Sequence, residues 1–408
     1  MNDEEVIFSI TDKNLDSGLR GVPVGTCQTS FVDPYEGVHY VGYPVEDLVN
    51  MEEEDVIFLL FNKRLPTEEE SEEFRAELTQ RGENIPTGAL RVLESLTPGG
   101  GHPMEWLSIG IMALGTAEKT GDTRADAMNL IARMPELMAR IFRLRGGEKE
   151  KLKPRKPGLG LVENFVHMMG FEDEKARDIE RVLRFFFILH MDHGGGNLST
   201  FSGKAVASGW ASVYSSISSA MNALSGPLHG QANQACLEFV KRIGTSDHQE
   251  IEDFVRTELA NRRKIYGFGH GVLRAEDPRA RLLFELGDQI CPEHEYFKIA
   301  RALREVIPPI LSEIPKISNP YPNVDIASGS LLHSVAFRMP EYYATFFGSA
   351  RVAGISAQIL DERNARDGRG TPIYRPKYIP KNQPLRSCLL YTSPSPRDAT
   401  LSRMPSSA

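Results

Sequence analysis

The stretch DEKARDIERVLRFFFILHMDHGGGN, Asp173 to Asn197, decides the fold class. It opens acidic, carries apolar residues at helical spacing and runs into RFFFILH, so it reads as a long helix over 173–190 with a deeply buried end. Gly194, Gly195 and Gly196 stop it. The same reading extends outward. Thr67, after Pro66 and followed by Glu70, makes a capping box that opens a helix to about Gln80. Helices are predicted over 103–119, 124–144, 205–224, 230–243, 249–264, 278–290 and 342–363. Strand alternation is scarce, with short candidates at Val6–Ile10 and Val38–Val41. The chain therefore reads as all-α, mainly helical, with no repeat of solenoid period.

The 408 residues suffice for two domains with sizeable cores, and 41% apolar and 25% charged residues give a soluble globular profile. A net charge of −8 offers nothing global to nucleic acid or an anionic membrane, so an anionic substrate needs a local arginine cluster. Four cysteines, Cys27, Cys236, Cys291 and Cys388, lie far apart with no CxxC, which fits a reducing compartment rather than a disulfide framework or zinc ribbon. The start, MNDEEVIF, has no apolar signal core, and no apolar run nears the ~20 residues of a membrane span. A cytoplasmic location is expected. The basic loop EKEKLKPRKPGLG separates helices and reads as solvated. The last 22 residues, SCLLYTSPSPRDATLSRMPSSA, lose all periodicity. Residues 387–408 resemble translated cloning sequence and are excluded from the fold as a non-native tail.

Of ten histidines, four stand in glycine-rich settings: His190 and His193 in HMDHGGGN, His229 in GPLHG and His270 in GFGHG. A helix is expected to begin near Gly230, which would lower the pKa of His229. A neutral imidazole there can donate a hydrogen bond to a carbonyl oxygen and stabilise an enolate. Asp325, in NPYPNVDIASGS, is either an ordinary helix N-cap or a partly desolvated carboxylate fit to take a carbon-bound proton. Arg279, Arg351 and Arg375 can clamp carboxylates by two-point contact. His190, Asp192 and His193 also offer metal-ligand types at tight spacing, so a metal-dependent hydrolase is a remote alternative.

HxDHxGGN, GPLHGxANQ, GxGHxVLRxxDPR, NPYPNVDxxSG and FGxxR follow one another in this order, and together they resemble the citrate synthase family of mitochondria and some bacteria. GLRGVPVGTCQTSFVDPYEGVHYVGYPVEDL resembles that family's entry segment, so the likeness spans about Gly18 to Pro376. The resemblance implies a helical homodimer. A large domain (1–229 and 334–386) would be paired with a smaller lid domain (230–333). The implied enzyme is an acyltransferase of the tricarboxylic acid cycle that condenses acetyl-CoA with oxaloacetate and hydrolyses the thioester to citrate and CoA. It implies that His229 polarises the thioester, Asp325 removes the methyl proton and His270 polarises the ketone. His193, Asn197, Arg279 and Arg351 would hold the second substrate, with Arg375 reaching in from the partner subunit. Ile265, Tyr266, Gly267 and Gly269 would lie against CoA, the glycines allowing close approach of the backbone. No metal or tightly bound cofactor is expected, acetyl-CoA being a cosubstrate. Met191, Gly194 and Gly271 depart from the family's usual residues without removing a catalytic group. A 2-methylcitrate synthase using propionyl-CoA is the nearest rival: it shares the catalytic residues, and one methylene discriminates by only ~1–3 kcal/mol. A non-catalytic binding protein on the same fold is the reading outside enzymes.

Overall fold

The computed structural model describes residues 7–147 and 152–379. The contacts divide the chain into one unit that runs to Ile373 and a second that starts at Tyr374. The described part of the second unit, 374–379, has no helix or strand.

A small antiparallel sheet opens the first unit, with β1 (Ser30–Asp33), β2 (Gly37–Tyr40) and β3 (Tyr43–Pro44) in that order. Short helices α1 (Val45–Leu48) and α2 (Glu53–Asn62) follow, then α3 (Glu68–Arg81) and α4 (Thr87–Glu94). The long helices α5 (Pro103–Glu118) and α6 (Thr123–Arg145) precede α7 (Leu161–Met168) and α8 (Asp173–His190). Next come α9 (Leu198–Ser208), α10 (Val213–Leu224), α11 (Ala232–Ile243) and α12 (His248–Ala260). The series closes with α13 (Pro278–Ile290), α14 (Glu295–Ser312), α15 (Val324–Val335) and α16 (Tyr343–Asn364).

Helix α16 is buried from Tyr343 to Phe346 and again from Gly348 to Ile359, and packs against α2, α5, α6, α8, α9, α10 and α11. A helix buried on all sides belongs at the centre of such a bundle, where its few polar side chains must find partners. Helices α11 to α15 pack chiefly among themselves, with α13 and α15 also touching α8. Three positions on one stripe of α16 meet the turn after α8. The Arg351 Nε donates to the His190 carbonyl at 2.8 Å, and the Gln358 amide donates to the Asp192 carboxylate at 2.8 Å. Between them sits Gly354, where a Cβ would stand 2.2 Å from the Met191 carbonyl oxygen.

The structure departs from the sequence reading at several places, and α2, α4 and α7 are helices where none is predicted. The helix expected over 205–224 is two, because Asn197 caps α9 earlier and Gly209 ends it. Trp210 then takes φ +59° and Ser212 caps α10 afresh. Helix α14 lies where the sequence reading places none; Pro308 and Pro309 are inside it, each withdrawing one N–H from the helical ladder, and the helix ends three residues later at Ser312. Of the two strand candidates, Val38–Val41 overlaps β2, whereas 7–10 is irregular; Val6 and the 387–408 tail lie outside the described residues.

An exposed helical glycine gains from replacement by alanine, whereas Gly354 should not. Gly354→Ala is expected to lower stability by about 1–3 kcal/mol through overpacking against the Met191 carbonyl, read as a lower urea midpoint. Gly88→Ala in α4, where a Cβ meets nothing within 4 Å, should instead leave the midpoint unchanged or slightly raised.

Candidate active site

Helices α9, α13, α15 and α16 and the loops before α11 and α13 converge on a cavity of about 230 Å³. It is lined by His193, Asn197, His229, His270, Arg279, Asp325 and Arg351, together with Asn323, Val324 and Phe347. Seven of the residues singled out from sequence therefore meet in one place, although they span 159 positions of the chain, from His193 to Arg351.

The two imidazoles have fixed tautomers. The backbone N–H groups of Val272 (3.1 Å) and Leu273 (3.0 Å) both donate to the His270 Nδ1. The proton of the neutral ring is thus on Nε2, which is left as a donor. His229 has the opposite arrangement. Its Nε2 accepts from the Ser199 N–H at 3.1 Å, with the Ser199 hydroxyl 3.0 Å away, so Nδ1 carries the proton. Burial lowers both pKa values to about 4, assisted by Arg351 at His229 and by Arg279 at His270. Both rings are neutral at physiological pH and each offers a single N–H. Helix α11 begins at Ala232, further from His229 than expected, so burial rather than a helix terminus is the leading cause of that shift.

Asp325 lies in the first turn of α15, but the N-cap is Asn323, whose side chain accepts from the Asp325 N–H. The ordinary-cap reading of Asp325 is thereby removed. Burial pushes its carboxyl up to about 6, Arg279 opposing and Asp277 reinforcing the rise.

Arg279 and Arg351 are 3% and 2% exposed. Asp277, fully buried beside Arg279, takes the Arg279 Nε at 3.0 Å and Nη2 at 2.8 Å. That carboxylate outweighs the effect of burial and keeps Arg279 charged. Arg351 makes no ion pair among the described residues; it rests over the Phe347 ring at 4.7 Å and donates to the His190 carbonyl. Burial lowers it to about 10, which still leaves it protonated. Arg279 thus keeps Nη1, and Arg351 both of its Nη nitrogens, without a hydrogen-bond partner among the described residues, and both arginines line the cavity. His193 lies with its ring 5.5 Å from that of His270, and its pKa is held well below the usual value by burial and by both arginines. Asn197 lines the cavity while capping α9, its amide donating to the Gly194 carbonyl at 3.1 Å.

Not all the candidates are brought together. Arg375 belongs to the second unit and is exposed. Ile265 and Tyr266 lie on the loop leading to His270, Tyr266 being exposed. Gly267 and Gly269 have φ +81° and +82°, and a Cβ on Gly267 would stand 2.6 Å from the Ile326 Cβ. That pair of glycines is demanded by the protein itself, whatever approaches from outside. The metal alternative is disfavoured by the donor atoms. The His190 Nδ1 bonds to the Phe186 carbonyl at 2.7 Å, and the Asp192 carboxylate is occupied by Thr29, Gln358 and the His193 N–H. Among the described residues only Glu52, Glu53 and Glu54 bring three possible ligand atoms within 4.8 Å of one another.

Sequence reasoning missed Asn323, Val324, Phe347 and the Ser199 partner of His229. The first two stand beside Asp325 in the quoted motif and could have been taken with it. Nothing in the sequence marks Ser199, which reaches His229 only through the packing of α9.

The residues at 18–377 match the family model described as "Citrate synthase, C-terminal domain". Mitochondrial citrate synthase of Citrus maxima is 32% identical over 89% of this chain and 81% of its own. Peroxisomal citrate synthase of Saccharomyces cerevisiae is 32% identical over 88% and 82%. Among solved structures, citrate synthase from Thermotoga maritima superposes with a TM-score of 0.78 at 30% identity, over 92% of this chain and 98% of that one. The Thermoplasma acidophilum enzyme, in ternary complex with carboxymethyl coenzyme A and oxaloacetate, has the same fold, with a TM-score of 0.79 at 24% identity over 93% and 98%.

A half-buried, desolvated carboxyl with a raised pKa costs stability only when ionised. Asp325→Asn should therefore stabilise the chain by about 1–3 kcal/mol at pH 8. The gain should shrink as pH falls through about 6 and vanish below the unfolded value of 3.8. Urea unfolding at pH 8 and pH 4 reads the difference; equal gains at both would refute the burial of a charged Asp325.

Proposed function

Because this chain belongs to the citrate synthase family, and is an acyl-transferring enzyme, we propose that its cavity condenses acetyl-CoA with oxaloacetate through His229, Asp325 and His270. The observation that carries this reading is the meeting of two neutral imidazoles, each with one directed N–H, and a carboxylate raised to about 6. At pH 7 roughly nine in ten Asp325 groups are ionised, and each is a stronger base than an ordinary aspartate.

Asp325 takes a proton from the thioester methyl group while the His229 Nδ1–H donates to the thioester oxygen. The charge that develops there meets a donor already in place. The resulting enolate carbon bonds to the ketone carbon of oxaloacetate, the alkoxide that forms is held by the hydrogen bond from the His270 Nε2–H, and the proton taken up by Asp325 balances the one that the new hydroxyl gains. Arg279, Arg351 and His193 hold the carboxylates, and the charge of both arginines is favourable to a dianion. Water then cleaves the C–S bond, releasing citrate and CoA. The complex of the Thermoplasma acidophilum protein supports this choice of ligands. Neither a metal nor a tightly bound cofactor is required by any step.

The packing of α11 to α15 among themselves supports a smaller lid domain over 230–333, closing on the remainder at 1–229 and 334–386. Closure would exclude water until the carbon–carbon bond has formed. We read Arg375 as a contribution from the partner subunit of a homodimer, which suits an exposed arginine outside the first unit. No helix of the described residues is long and apolar enough to cross a membrane. Free Cys27, Cys236 and Cys291 are compatible with a reducing compartment such as the cytoplasm.

Thiol release with oxaloacetate tests the reading. It should be fast with acetyl-CoA, slower with propionyl-CoA and unaffected by a chelator. A preference for propionyl-CoA would move the assignment to 2-methylcitrate synthesis. Turnover should rise with pH through about 6 and then level, as Asp325 ionises. Asp325→Ala should lower kcat at least a thousandfold and leave oxaloacetate affinity within a few-fold; collapse of that affinity instead would remove Asp325 from its role. Arg375→Ala should be inactive alone and regain activity when mixed with Asp325→Ala chains, and failure to do so would argue against a shared site.

A further inference from the structure

We infer that Asn323 is a positioning residue that sets the separation of His270 from Asp325, and that this duty goes beyond capping α15. The inference rests on the roles given to those two residues above. An N-cap needs only an acceptor, and serine or aspartate serves as well as asparagine. Asn323 uses both ends of its amide. Its Oδ1 accepts from the Asp325 N–H at 3.1 Å, and its Nδ2 donates to the Gly269 carbonyl at 2.9 Å, immediately before His270. Its own N–H donates to the Gly267 carbonyl at 2.9 Å.

The remainder of the connection is equally short. The Gly269 N–H donates to the Tyr321 carbonyl at 2.9 Å, and Phe268 pairs with Pro322 as an antiparallel bridge. On the far side of His270, the Asn319 amide holds the carbonyls of Leu273 (2.8 Å) and Ala275 (3.1 Å). The His270 ring is tied to that loop through the N–H groups of Val272 and Leu273. The ketone-polarising ring is thus fixed to its loop, the loop to Asn323, and Asn323 to the backbone of the base. No other side chain among the described residues bonds to both the Asp325 backbone and the loop of His270. Among short side chains only asparagine supplies a donor and an acceptor at this reach. Misplacing a reacting group by about 1 Å costs on the order of a hundredfold in rate.

The test compares two variants that keep the cap. Asn323→Ser retains an acceptor for the Asp325 N–H but has no donor that reaches the Gly269 carbonyl. Asn323→Asp keeps size and cap and sets a carboxylate against that carbonyl. Full-length chains are assayed with acetyl-CoA and oxaloacetate, alongside circular dichroism and thermal unfolding. Both variants should fold with midpoints close to the parent. Their kcat should fall at least tenfold while KM for oxaloacetate, which Arg279, Arg351 and His193 govern, changes less than threefold. In Asn323→Ser the pH midpoint of kcat should also drop below about 6, as Asp325 relaxes towards water. A kcat within twofold of the parent in the Ser variant, or a loss that tracks loss of folded protein in both, overturns the inference. Asp325→Ala, run in parallel, separates the two levels: if it stays active, the mechanism itself fails, whereas if it is dead and Asn323→Ser is normal, only the positioning role fails.

Discussion

The contact of one stripe of α16 with the turn that ends α8 is the constraint on which the remainder depends. Arg351, Gly354 and Gln358 fall on one face, and each meets a different residue of the turn at His190, Met191 and Asp192. Gly354 lets the two backbones come close enough for the flanking side chains to bond. Asp192 in turn accepts from Thr29 and the His193 N–H, which joins the segment before β1 and the start of the glycine-rich loop to the same point. Arg351 is aimed into the cavity because its Nε is already committed to a carbonyl. A central helix buried on every side thereby positions a charge that would otherwise be costly to bury.

The electrostatics of the cavity follow from that burial. Desolvation lowers the affinity of the neighbouring imidazoles for protons, and the two buried arginines add to the effect. The histidines are thus kept neutral beside a cluster that attracts anions. Asp325 responds to the same desolvation in the opposite direction, because its charged form is the deprotonated one. One environment therefore produces neutral hydrogen-bond donors and a strengthened base side by side. Asp277 offsets one of the two arginine charges and fixes the orientation of Arg279, leaving Arg351 without an ion-pair partner among the described residues.

Much of this was legible because helical periodicity and glycine-flanked histidines are local signals. The 173–190 helix, the capping box at Thr67 and the five motifs with His193, His229, His270, Asp325 and Arg351 needed no tertiary information. The failures were places where local signals conflict. Helix α14 went unread, and its paired prolines are residues that local propensity sets against a helix. A continuous small-residue run concealed the turn at Trp210, which takes a left-handed backbone with its N–H on the Ala207 carbonyl. Asp325 carried a cap pattern that Asn323 fulfils instead, two residues earlier.

The sequence by itself determined the helical class, the residue types of the site and the family, because each is written in spacing and side-chain chemistry along the chain. Only the tertiary structure decided which nitrogen of each histidine carries its proton, since Ser199 and the Val272 and Leu273 amides reach the rings through folding. The same holds for the raised pKa of Asp325, which is a property of desolvation and of Arg279 and Asp277 brought near it. Chemistry of this kind depends on distances of about 3 Å between residues far apart in the chain, and a linear sequence fixes the groups without fixing those distances.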